Sequence, residues 1–480
     1  MDSSYLMSFS GLSQALGGAR LFSWEGKQGA GTPAPEDIRD GFSSVSIDSR
    51  AVLPGGLFVA LRGETQDGHR FVDAAFRAGA SGAMVALSAM EDPALSLSNL
   101  ACKWNRVLIG VEDTLRAFQN AAAAYLKQFS GLIRIGITGS TGKTTTKEIA
   151  GAIISQEKAV VMNKGNLNSE TGLPLSVFEV RSHHEVGIFE AGMNHKGEMA
   201  DLAKILNPDI ALITNIGTAH IGILGSRDNI AEEKKKIFSE FSGANTALIP
   251  AFDDYRDFLA KNVKGRTVFY DTSSLSGLGT TKDLGLHGTE IVWDGEAVRF
   301  NLPGRFNLQN ALTAAALALE LPVSGASIRR GLESVKPLFG RGEILKGRTT
   351  LIRDCYNSNP ESITEVLAFC DGLEWNGRKI YILSSMLEQG DVSEEVHIAL
   401  GRRLALCKAD MIFLFGEEIR HAAEELEKGN IQFFHTCDMD ELSRKLDSFV
   451  KASDLVLLKG SRGCALEVLT EVLAGNYAMH

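Results

Sequence analysis

The feature that most constrains the fold of this chain is the segment IGITGSTGKTTTKE, residues 135–148. The apolar run at 132–137 predicts a buried strand, and the pattern KEIAGAII that follows the turn predicts a helix. Between them lies a glycine-rich turn that ends in Gly142, Lys143 and Thr144. Such a turn directs backbone N–H groups and a helix N-terminus at one point, which suits a polyphosphate.

Two side chains of the turn strengthen the case for a nucleotide. Lys143 would place a charge at the outer phosphates, and the Thr144 hydroxyl would be a ligand for Mg²⁺. The strict pattern GxxxxGK[ST] is not met, because Ile137 stands where its first glycine would be. The alternative is a glycine turn with an incidental lysine, but the strand–turn–helix context favours ATP or GTP. The predicted nucleotide-binding residues of the turn are Thr138, Gly139, Ser140, Thr141, Gly142, Lys143, Thr144 and Thr145.

Length, composition and charge narrow the class of protein. A chain of 480 residues predicts two to four domains, and 44% hydrophobic with 22% charged residues is typical of a globular protein. The net charge of -10 argues against a nucleic-acid partner. Six scattered cysteines without a CxxC pair indicate neither a zinc site nor a disulfide framework. With no signal-peptide pattern and no apolar run of about eighteen residues, we expect a cytoplasmic protein without membrane insertion.

The pattern of strands and helices predicts an α/β protein of three domains. Short apolar runs and one helical patch predict a small N-terminal α/β domain, after a polar leader at 26–37 that predicts a loop. The central region predicts a P-loop NTPase-like parallel sheet, and the last region a Rossmann-like sheet without the GxGxxG fingerprint. The predicted bounds are 1–111, 112–325 and 326–480.

Individual strands are predicted most clearly in the last two regions. Apolar runs indicate strands at 186–189, 210–214, 247–249, 351–355, 380–383, 411–415, 432–434 and 455–458. The stretch 271–300 has no clear pattern. The alanine-rich segment 311–321 predicts a packed helix.

Polar residues follow several of these strands. Glu190 ends one strand, where a carboxylate would lie on the crevice edge of an α/β sheet and could hold Mg²⁺. His220 follows another strand in ALITNIGTAHIG, so both side chains could face one site. The alternatives are an exposed strand-end glutamate and a structural loop histidine.

Three further segments allow both a functional and a structural interpretation. The polar loop 163–174 offers asparagine side chains to a substrate, or forms an ordinary Asn/Gly turn. Asn307 and Asn310, at a helix start, could read an adenine edge or serve in capping. In IAEEKKKIF, residues 230–238, a solvated helix face is the usual interpretation, and chemistry alone selects none of the three lysines.

The motifs TGSTGKTTT, EAGMNHKGEM, TNIGTAH, GRFNLQNA and DCYNSNPES, in this order, resemble those of the Mur ligase family. These are ATP-dependent amide-bond ligases of cell-wall precursor synthesis, and their phosphate loop explains the departure from the stricter pattern. The resemblance spans 45–462. It implies ATP and two Mg²⁺ ions, with a UDP-N-acetylmuramoyl-tripeptide and D-Ala-D-Ala as substrates. The sequence leaves the oligomeric state open, and we take a monomer as the default. The segments GNLNSETGLP, KGSR and DSRAVLPGGLFVALRGETQDGHRF indicate that pair of substrates.

The resemblance also implies roles for single residues. The family's I-A-x-x-K frame puts a carbamylated lysine at Lys234, whose carbamate would be an anionic ligand for the second Mg²⁺. The implied catalytic residues are Lys143, Asn166, His220 and Lys234, and the implied metal ligands are Thr144, Glu190, His220 and Lys234. The ATP-binding residues beyond the turn are Asn307, Asn310, Arg341 and Asp354. The implied substrate-binding residues are Ser49, Arg50, His69, Asn168 and Lys459.

Two segments depart from the family pattern, and two other functions compete with a ligase of this kind. SSMLEQGD at 384–391 replaces the usual GDMLELG, and GRFN replaces GRHN. A nucleotide switch would need a guanine motif NKxD, whose aspartate is missing from NKGN at 163–166. A sister ligase that adds the third amino acid would show a YAHTP-like segment in place of DCYNSNP.

Overall fold

The computed structural model describes residues 5–22, 41–475 and 478–479. The predicted loop at 26–37 lies outside the described residues. The chain divides into two compact units. The first comprises Met1–Gly136, Val161–Met193 and Glu198–Asp209, and the second Ile137–Val160, Asn194–Gly197 and Ile210–His480.

The N-terminal region forms a small α/β layer. Its strands are β1 (Met7–Ser8), β2 (Arg20–Phe22), β3 (Gly41–Phe42), β4 (Val45–Ser46), β5 (Leu57–Val59), β6 (Gly82–Ala86) and β7 (Val107–Val111). Its helices are α1 (Phe9–Ala15), α2 (Val72–Arg77), α3 (Leu87–Met90), α4 (Leu97–Trp104) and α5 (Thr114–Leu126). The sheet order is β2-β7-β6-β5-β4, parallel from β4 to β7 with β2 antiparallel at the edge. Phe58, Phe76 and Val85 belong to one buried core.

The central region contains a six-stranded sheet in the order β13-β12-β11-β8-β10-β9. Its strands are β8 (Ile133–Thr138), β9 (Val160–Met162), β10 (Val186–Glu190), β11 (Ile210–Ile213), β12 (Thr246–Pro250) and β13 (Arg266–Tyr270). Its helices are α6 (Lys143–Ile154), α7 (Gly172–Val177), α8 (Glu198–Leu206), α9 (Ile221–Leu224), α10 (Arg227–Lys235), α11 (Arg256–Ala260), α12 (Arg305–Leu319) and α13 (Gly325–Ser334). The pairs β11–β12 and β12–β13 are parallel.

The stretch without a clear sequence pattern forms a three-stranded antiparallel sheet. It consists of β14 (Leu278–Asp283), β15 (Thr289–Trp293) and β16 (Glu296–Phe300), in that order. Alternate residues of β15, namely Thr289, Ile291 and Trp293, are buried, whereas β14 is exposed along most of its length. Because buried and exposed residues alternate along only part of this sheet, the sequence shows no clear two-residue period here.

The C-terminal region forms a seven-stranded sheet in the order β21-β20-β19-β22-β18-β17-β23. Its strands are β17 (Glu343–Lys346), β18 (Thr350–Asp354), β19 (Lys379–Ser384), β20 (Met411–Phe415), β21 (Phe433–Thr436), β22 (Leu455–Lys459) and β23 (Ala478–Met479). Its helices are α14 (Pro360–Gly372), α15 (Ser393–Leu404), α16 (Arg420–Lys428), α17 (Met439–Phe449) and α18 (Thr470–Ala474). The strands from β21 to β18 are parallel, and β17 and β23 are antiparallel.

Both faces of this sheet are covered, which confirms the predicted Rossmann-like layer. Ile352 and Leu414 pack in one core, and their neighbours Leu351 and Phe413 pack in the core on the opposite face. Strands buried on both faces read as continuous apolar runs, so their positions were predicted to within two residues. In the described part of the chain, no helix has both the length and the apolar character to cross a bilayer.

Close helix packing in the second unit depends on a glycine of α13. A Cβ atom at Gly331 would overlap the backbone of Ile153 in α6. We expect Gly331→Ala to lower the free energy of unfolding by about 1–3 kcal/mol, because the two helices would have to separate. Urea unfolding would measure the change. Gly372→Ala is the matched control, since a Cβ at this helical glycine meets no atom within 4 Å and should shift stability by less than about 0.5 kcal/mol. Equal effects of the two substitutions would contradict the packing argument.

Candidate active site

The turn between β8 and α6, residues 139–142, is called here the phosphate loop. Gly139 and Gly142 have φ angles of 148° and 78°, and a Cβ atom on Gly139 would overlap the hydroxyl of Thr214. Only glycine therefore fits at 139. The helix begins at Lys143, and Thr144 in its first turn is buried. The strand, the glycine turn and the helix N-terminus thus follow one another as the sequence predicted, and a helix N-terminus suits phosphate.

Lys143 folds back over the phosphate loop. Its Nζ donates to the carbonyl oxygens of Gly139, at 2.7 Å, and of Ser140, at 3.3 Å. Both acceptors belong to the loop that would surround a phosphate. The ammonium group is therefore placed beside that position and can exchange carbonyl contacts for phosphate oxygens.

The residues that follow β11, 214–218, are called here the β11 exit loop, and they hold the phosphate loop in shape. Thr214 Oγ1 donates to the carbonyl of Thr141 at 2.6 Å. Asn215 donates through Nδ2 to the Thr141 hydroxyl, at 2.9 Å, and accepts the Thr141 N–H through Oδ1, at 3.1 Å. The N–H of Ser140 donates to the carbonyl of Asn215 at 3.0 Å. The sequence pattern predicted no role for Asn215.

His220 lies just beyond the β11 exit loop, in a left-handed conformation with φ 68°. Its Nδ1 is buried without a hydrogen-bond partner among the described residues, and the nearest carboxylate oxygen, on Glu388, is 3.4 Å away. Burial lowers the pKa of His220, against the opposing effect of Glu388. A neutral, unpaired imidazole nitrogen is suited to binding a metal ion.

The three consecutive lysines of α10 and the turn after it have different surroundings. Lys234 is 1% exposed. Burial, together with the charge of Lys143, lowers the pKa of Lys234 well below its ordinary value, against the opposing effect of Glu233. Lys235 donates to two backbone carbonyls, and Lys236 pairs with Glu233 at 2.6 Å. Of the three lysines, Lys234 is the one that is buried.

The two asparagines of α12, which were predicted to read an adenine edge or to serve in capping, lie beside the phosphate loop and the turn at 340–342. A Cβ atom on Gly142 would overlap the Asn310 side chain, so Asn310 touches the phosphate loop. Asn307 is buried and donates to the carbonyl of Pro303 at 2.8 Å. Its Nδ2 would be 3.5 Å from a Cβ on Gly342, in the turn that carries Arg341. One helix therefore brings both asparagines to neighbouring parts of the site.

Arg341, Asp354 and Lys459 belong to one cluster of the C-terminal region. The Arg341 guanidinium stacks on the ring of Tyr356, 4.0 Å from its centroid. Lys459, 2% exposed, pairs with Asp354 at 3.0 Å and donates to the carbonyl of Asn357 at 2.7 Å. Sequence analysis gave Asp354 to the nucleotide and Lys459 to the substrate end. In the structure the two are direct partners.

The first unit holds a second group of predicted residues around the end of β10. Asn168 donates to the Glu190 carboxylate at 2.6 Å. Asn163 fixes the same strand end, because it accepts the N–H and donates to the carbonyl of Glu190, each at 2.9 Å. Asn166 is exposed, and its carbonyl accepts the N–H of Asn168 at 2.8 Å. Glu190 is only 2% exposed, so the interpretation as an exposed strand-end glutamate is wrong.

The residues predicted to bind the UDP-sugar have unequal accessibility. Arg50 is exposed and pairs with Asp48 at 2.7 Å, next to Ser49 in the same turn. His69 is 1% exposed. Its Nδ1 lies 2.5 Å from the Asp67 carboxylate, and its Nε2 accepts the N–H of Ala86 at 2.9 Å. Both ring nitrogens of His69 are therefore engaged within the protein.

Sequence analysis missed one residue that reaches the β11 exit loop from far along the chain. Glu361, in the first turn of α14, accepts the N–H of Thr218 at 2.7 Å and its hydroxyl at 3.0 Å. The only sequence signal is an acidic residue at a helix start, which the favourable field of the helix N-terminus already explains. Within the described residues, no three His, Cys, Asp or Glu side chains form a preassembled metal cluster.

The fold and the phosphate loop define a nucleotide-binding α/β enzyme of the P-loop class. Residues 137–318 match the Mur ligase middle domain, 340–462 the Mur ligase glutamate ligase domain, and 42–125 the catalytic domain of the Mur ligase family. The chain belongs to the Mur ligase family, which confirms the resemblance seen in the sequence.

Relatives of nearly the same length share this architecture. The UDP-N-acetylmuramoyl-tripeptide–D-alanyl-D-alanine ligase of Treponema pallidum is 42% identical over 98% of this chain and 99% of its own. The ligase of that name from Bacillus subtilis is 33% identical over 89% of this chain and 92% of its own. A crystal structure of MurF from Acinetobacter baumannii superposes with a TM-score of 0.83, at 30% identity, over 97% of this chain and 98% of its own. The MurF ligase of Thermotoga maritima, solved with ADP, gives 0.74 at 26% identity over 90% and 97%.

The ion pair between Asp354 and Lys459 makes a prediction about stability. Asp354→Ala should lower the free energy of unfolding by about 3–5 kcal/mol, because it leaves a buried ammonium group without its counter-charge. Combining it with Lys459→Met should recover much of that loss, since no charge then stays buried. Urea unfolding would measure both variants. Asp447→Ala, which removes the exposed partner of Arg348, is the control and should cost less than about 1 kcal/mol. A loss of nucleotide affinity in Asp354→Ala with unchanged stability would contradict this role.

Proposed function

We propose that the chain is an ATP-dependent ligase that joins D-Ala-D-Ala to UDP-N-acetylmuramoyl-tripeptide. The product is the UDP-muramoyl-pentapeptide precursor of peptidoglycan, with ADP and phosphate. The observation that carries the proposal is the phosphate loop with Lys143 beside it, in a member of the Mur ligase family. Relatives that match over nearly the whole chain are ligases of this substrate pair.

The need for two chemical steps follows from the negative charge of the tripeptide carboxylate. A carboxylate does not react with an amine, so the tripeptide carboxylate oxygen first attacks the γ-phosphorus of ATP, and ADP leaves. The amine of D-Ala-D-Ala then attacks the acyl carbon of the acyl phosphate, phosphate leaves, and the new amide loses a proton. Lys143 and the phosphate-loop N–H groups stabilise the negative charge of the transferring phosphoryl group. Water must be excluded, because it would hydrolyse the acyl phosphate.

The chain offers oxygen and nitrogen ligands for Mg²⁺, which would offset the repulsion between the two anions. Within the second unit, the Thr144 hydroxyl, the His220 imidazole and a carbamate on Lys234 would be Mg²⁺ ligands. The Glu190 carboxylate of the first unit is proposed as a further ligand, and two ions are expected. The unpartnered Nδ1 of His220 and the buried amine of Lys234 fit this assignment. Carbamate formation needs an unprotonated amine, and burial, which lowers the pKa of Lys234, favours that form.

The remaining predicted residues divide between nucleotide and substrate. Asn307, Asn310 and Arg341 would contact ATP, since they border the phosphate loop and the adjoining turn of the C-terminal region. Asp354 would act through Lys459, which it pairs, near the substrate end. Ser49, Arg50 and Asn168 would bind the substrate, and Asn166 would act in catalysis. His69 would hold the loop that bears the sugar site, because its ring is internally bonded.

We further propose three domains, 1–111, 112–325 and 326–480, in a monomeric cytoplasmic enzyme. The main sheets lie within these bounds, at 20–111, 133–270 and 343–479. A cytoplasmic location agrees with the use of ATP and with six cysteines that are all free thiols.

The function is tested by measuring phosphate release with each substrate omitted in turn. We expect release only when ATP, a UDP-muramoyl tripeptide and D-Ala-D-Ala are all present. A panel of tripeptides would identify the third amino acid. Lys143→Met should reduce turnover on the order of 100-fold or more, since the charge beside the transferring phosphoryl group is lost. Release supported by a single amino acid added to a shorter peptide would indicate the sister ligase instead. Hydrolysis of the nucleotide without either substrate would indicate a switch.

Substitution of the three lysines one at a time tests the carbamate. Lys234→Ala should lose activity on the order of 100-fold, because it removes the anionic ligand. Lys235→Ala and Lys236→Ala should retain most activity, since those side chains bond elsewhere. A ¹³C NMR carbamate signal from protein supplied with labelled bicarbonate should vanish only in Lys234→Ala. Added short-chain carboxylate should partly restore that variant. Equal behaviour of the three variants would overturn the assignment.

A further inference from the structure

The β11 exit loop is held by carboxylates that come from two different parts of the second unit. Asp253, which follows β12, accepts the N–H of Ile216 at 2.8 Å. Glu361, in the C-terminal region, accepts the N–H and the hydroxyl of Thr218 at 2.7 Å and 3.0 Å. Asp253 belongs to the same sheet layer as the loop that it holds. Glu361 is separated from Thr218 by 143 residues and begins a helix of another sheet layer.

The β11 exit loop, to which Glu361 is hydrogen-bonded, also contacts the phosphate loop. The N–H of Gly217 donates to Ser140 Oγ at 2.8 Å. A Cβ atom on Gly217 would lie 2.8 Å from Glu361 Oε1 and 3.3 Å from the Cβ of Ser140. Only the backbone of Gly217 therefore separates the Glu361 carboxylate from the phosphate loop. A shift of this carboxylate would move the support of Ser140 directly.

Glu361 is not needed to begin its own helix. Asn359 caps α14 by accepting the N–H of Ser362, and Ser362 accepts the N–H of Asn359 in return. Pro360 at the first helical position fixes the backbone there. The start of the helix is thus secured by other residues, and both oxygens of Glu361 are directed at Thr218.

A second contact brings the same two parts of the unit together further along the chain. A Cβ atom on Gly222 would lie 2.5 Å from the backbone nitrogen of Gly390, so the two backbones approach closely. Glu388, two residues before Gly390, has φ 67° and lies 3.4 Å from His220. The segment from Thr218 to Gly222 is therefore flanked by two segments of the C-terminal region.

We propose that Glu361 is a positioning residue that links the docking of the C-terminal region to the shape of the phosphate loop. The link runs from the carboxylate through Thr218 and Gly217 to Ser140. This role rests on the proposed ligase function. Phosphoryl transfer depends on N–H groups aimed within a few tenths of an ångström, so loss of the link should reduce turnover more than substrate binding.

The test compares Glu361→Ala, Glu361→Gln and Glu365→Ala in the full chain. Glu365 is the matched control, because it lies one turn later on α14 and is exposed. We expect Glu361→Ala to lower kcat at least about tenfold, with the KM for the UDP-muramoyl tripeptide changed less than about twofold. Glu361→Gln should retain most activity, since its amide can still accept the Thr218 N–H and bond the hydroxyl. Glu365→Ala should match the unsubstituted chain.

Hydrogen–deuterium exchange gives a readout that does not depend on ligation. In Glu361→Ala, peptides covering 138–146 and 214–219 should exchange faster, while β20 at 411–415 should not change. Activity equal to that of Glu365→Ala, or lost activity without faster exchange at 138–146, would overturn the proposal. If Glu361→Ala does not fold, Thr218→Val removes one of the two bonds and must show the same pattern more weakly. If the unsubstituted chain does not ligate, the ligase function fails while the exchange data still test the link.

Discussion

The hydrogen bonds between the β11 exit loop and the phosphate loop are the constraint on which the rest of the site depends. A turn rich in glycine has few side chains with which to fix itself, yet its backbone groups must all find partners. Thr214 and Asn215 satisfy the carbonyl and N–H of Thr141, so the turn is held from the neighbouring strand. Because α6 starts directly after the turn, the same bonds determine where Lys143 leaves the backbone. Phosphate recognition is thus a property of two adjacent strand ends.

Two buried lysines, Lys459 and Lys234, differ in the charges that surround them. Lys459 is 2% exposed but lies 3.0 Å from Asp354, so its charge is balanced within the protein. Lys234 is equally buried, and burial, together with the charge of Lys143, lowers its pKa well below the ordinary value although Glu233 acts in the opposite direction. A buried ammonium group is costly to keep charged, and releasing a proton removes that cost. This difference supports the proposal that Lys234, and not Lys459, carries the carbamate.

Sequence patterns predicted the features that depend on neighbouring residues. They could not predict contacts between residues that lie far apart in the chain. The phosphate loop and the parallel strands at 351–355 and 411–415 were predicted, because period and turn chemistry are local properties. The role of Glu361 was not, since its partner is 143 residues away. Among the three consecutive lysines, only the family frame selected Lys234, and the structure adds that this side chain is buried. The hydrogen bonds of the His69 ring could not be predicted either, because they depend on Asp67 and on the backbone of a neighbouring strand.

The departures of SSMLEQGD from the family pattern can now be located. Ser384 accepts the N–H of Ser461 at 3.2 Å, and Ser385 accepts the N–H of Ile419 at 3.1 Å, so both serines bond to the backbone of neighbouring loops. Four residues of this segment keep the family pattern, and two of them, Glu388 and Gly390, lie beside His220 and Gly222. Ser384 and Ser385 therefore change the contacts of this segment with neighbouring loops. Its contacts with His220 and Gly222 are made by residues that keep the family pattern.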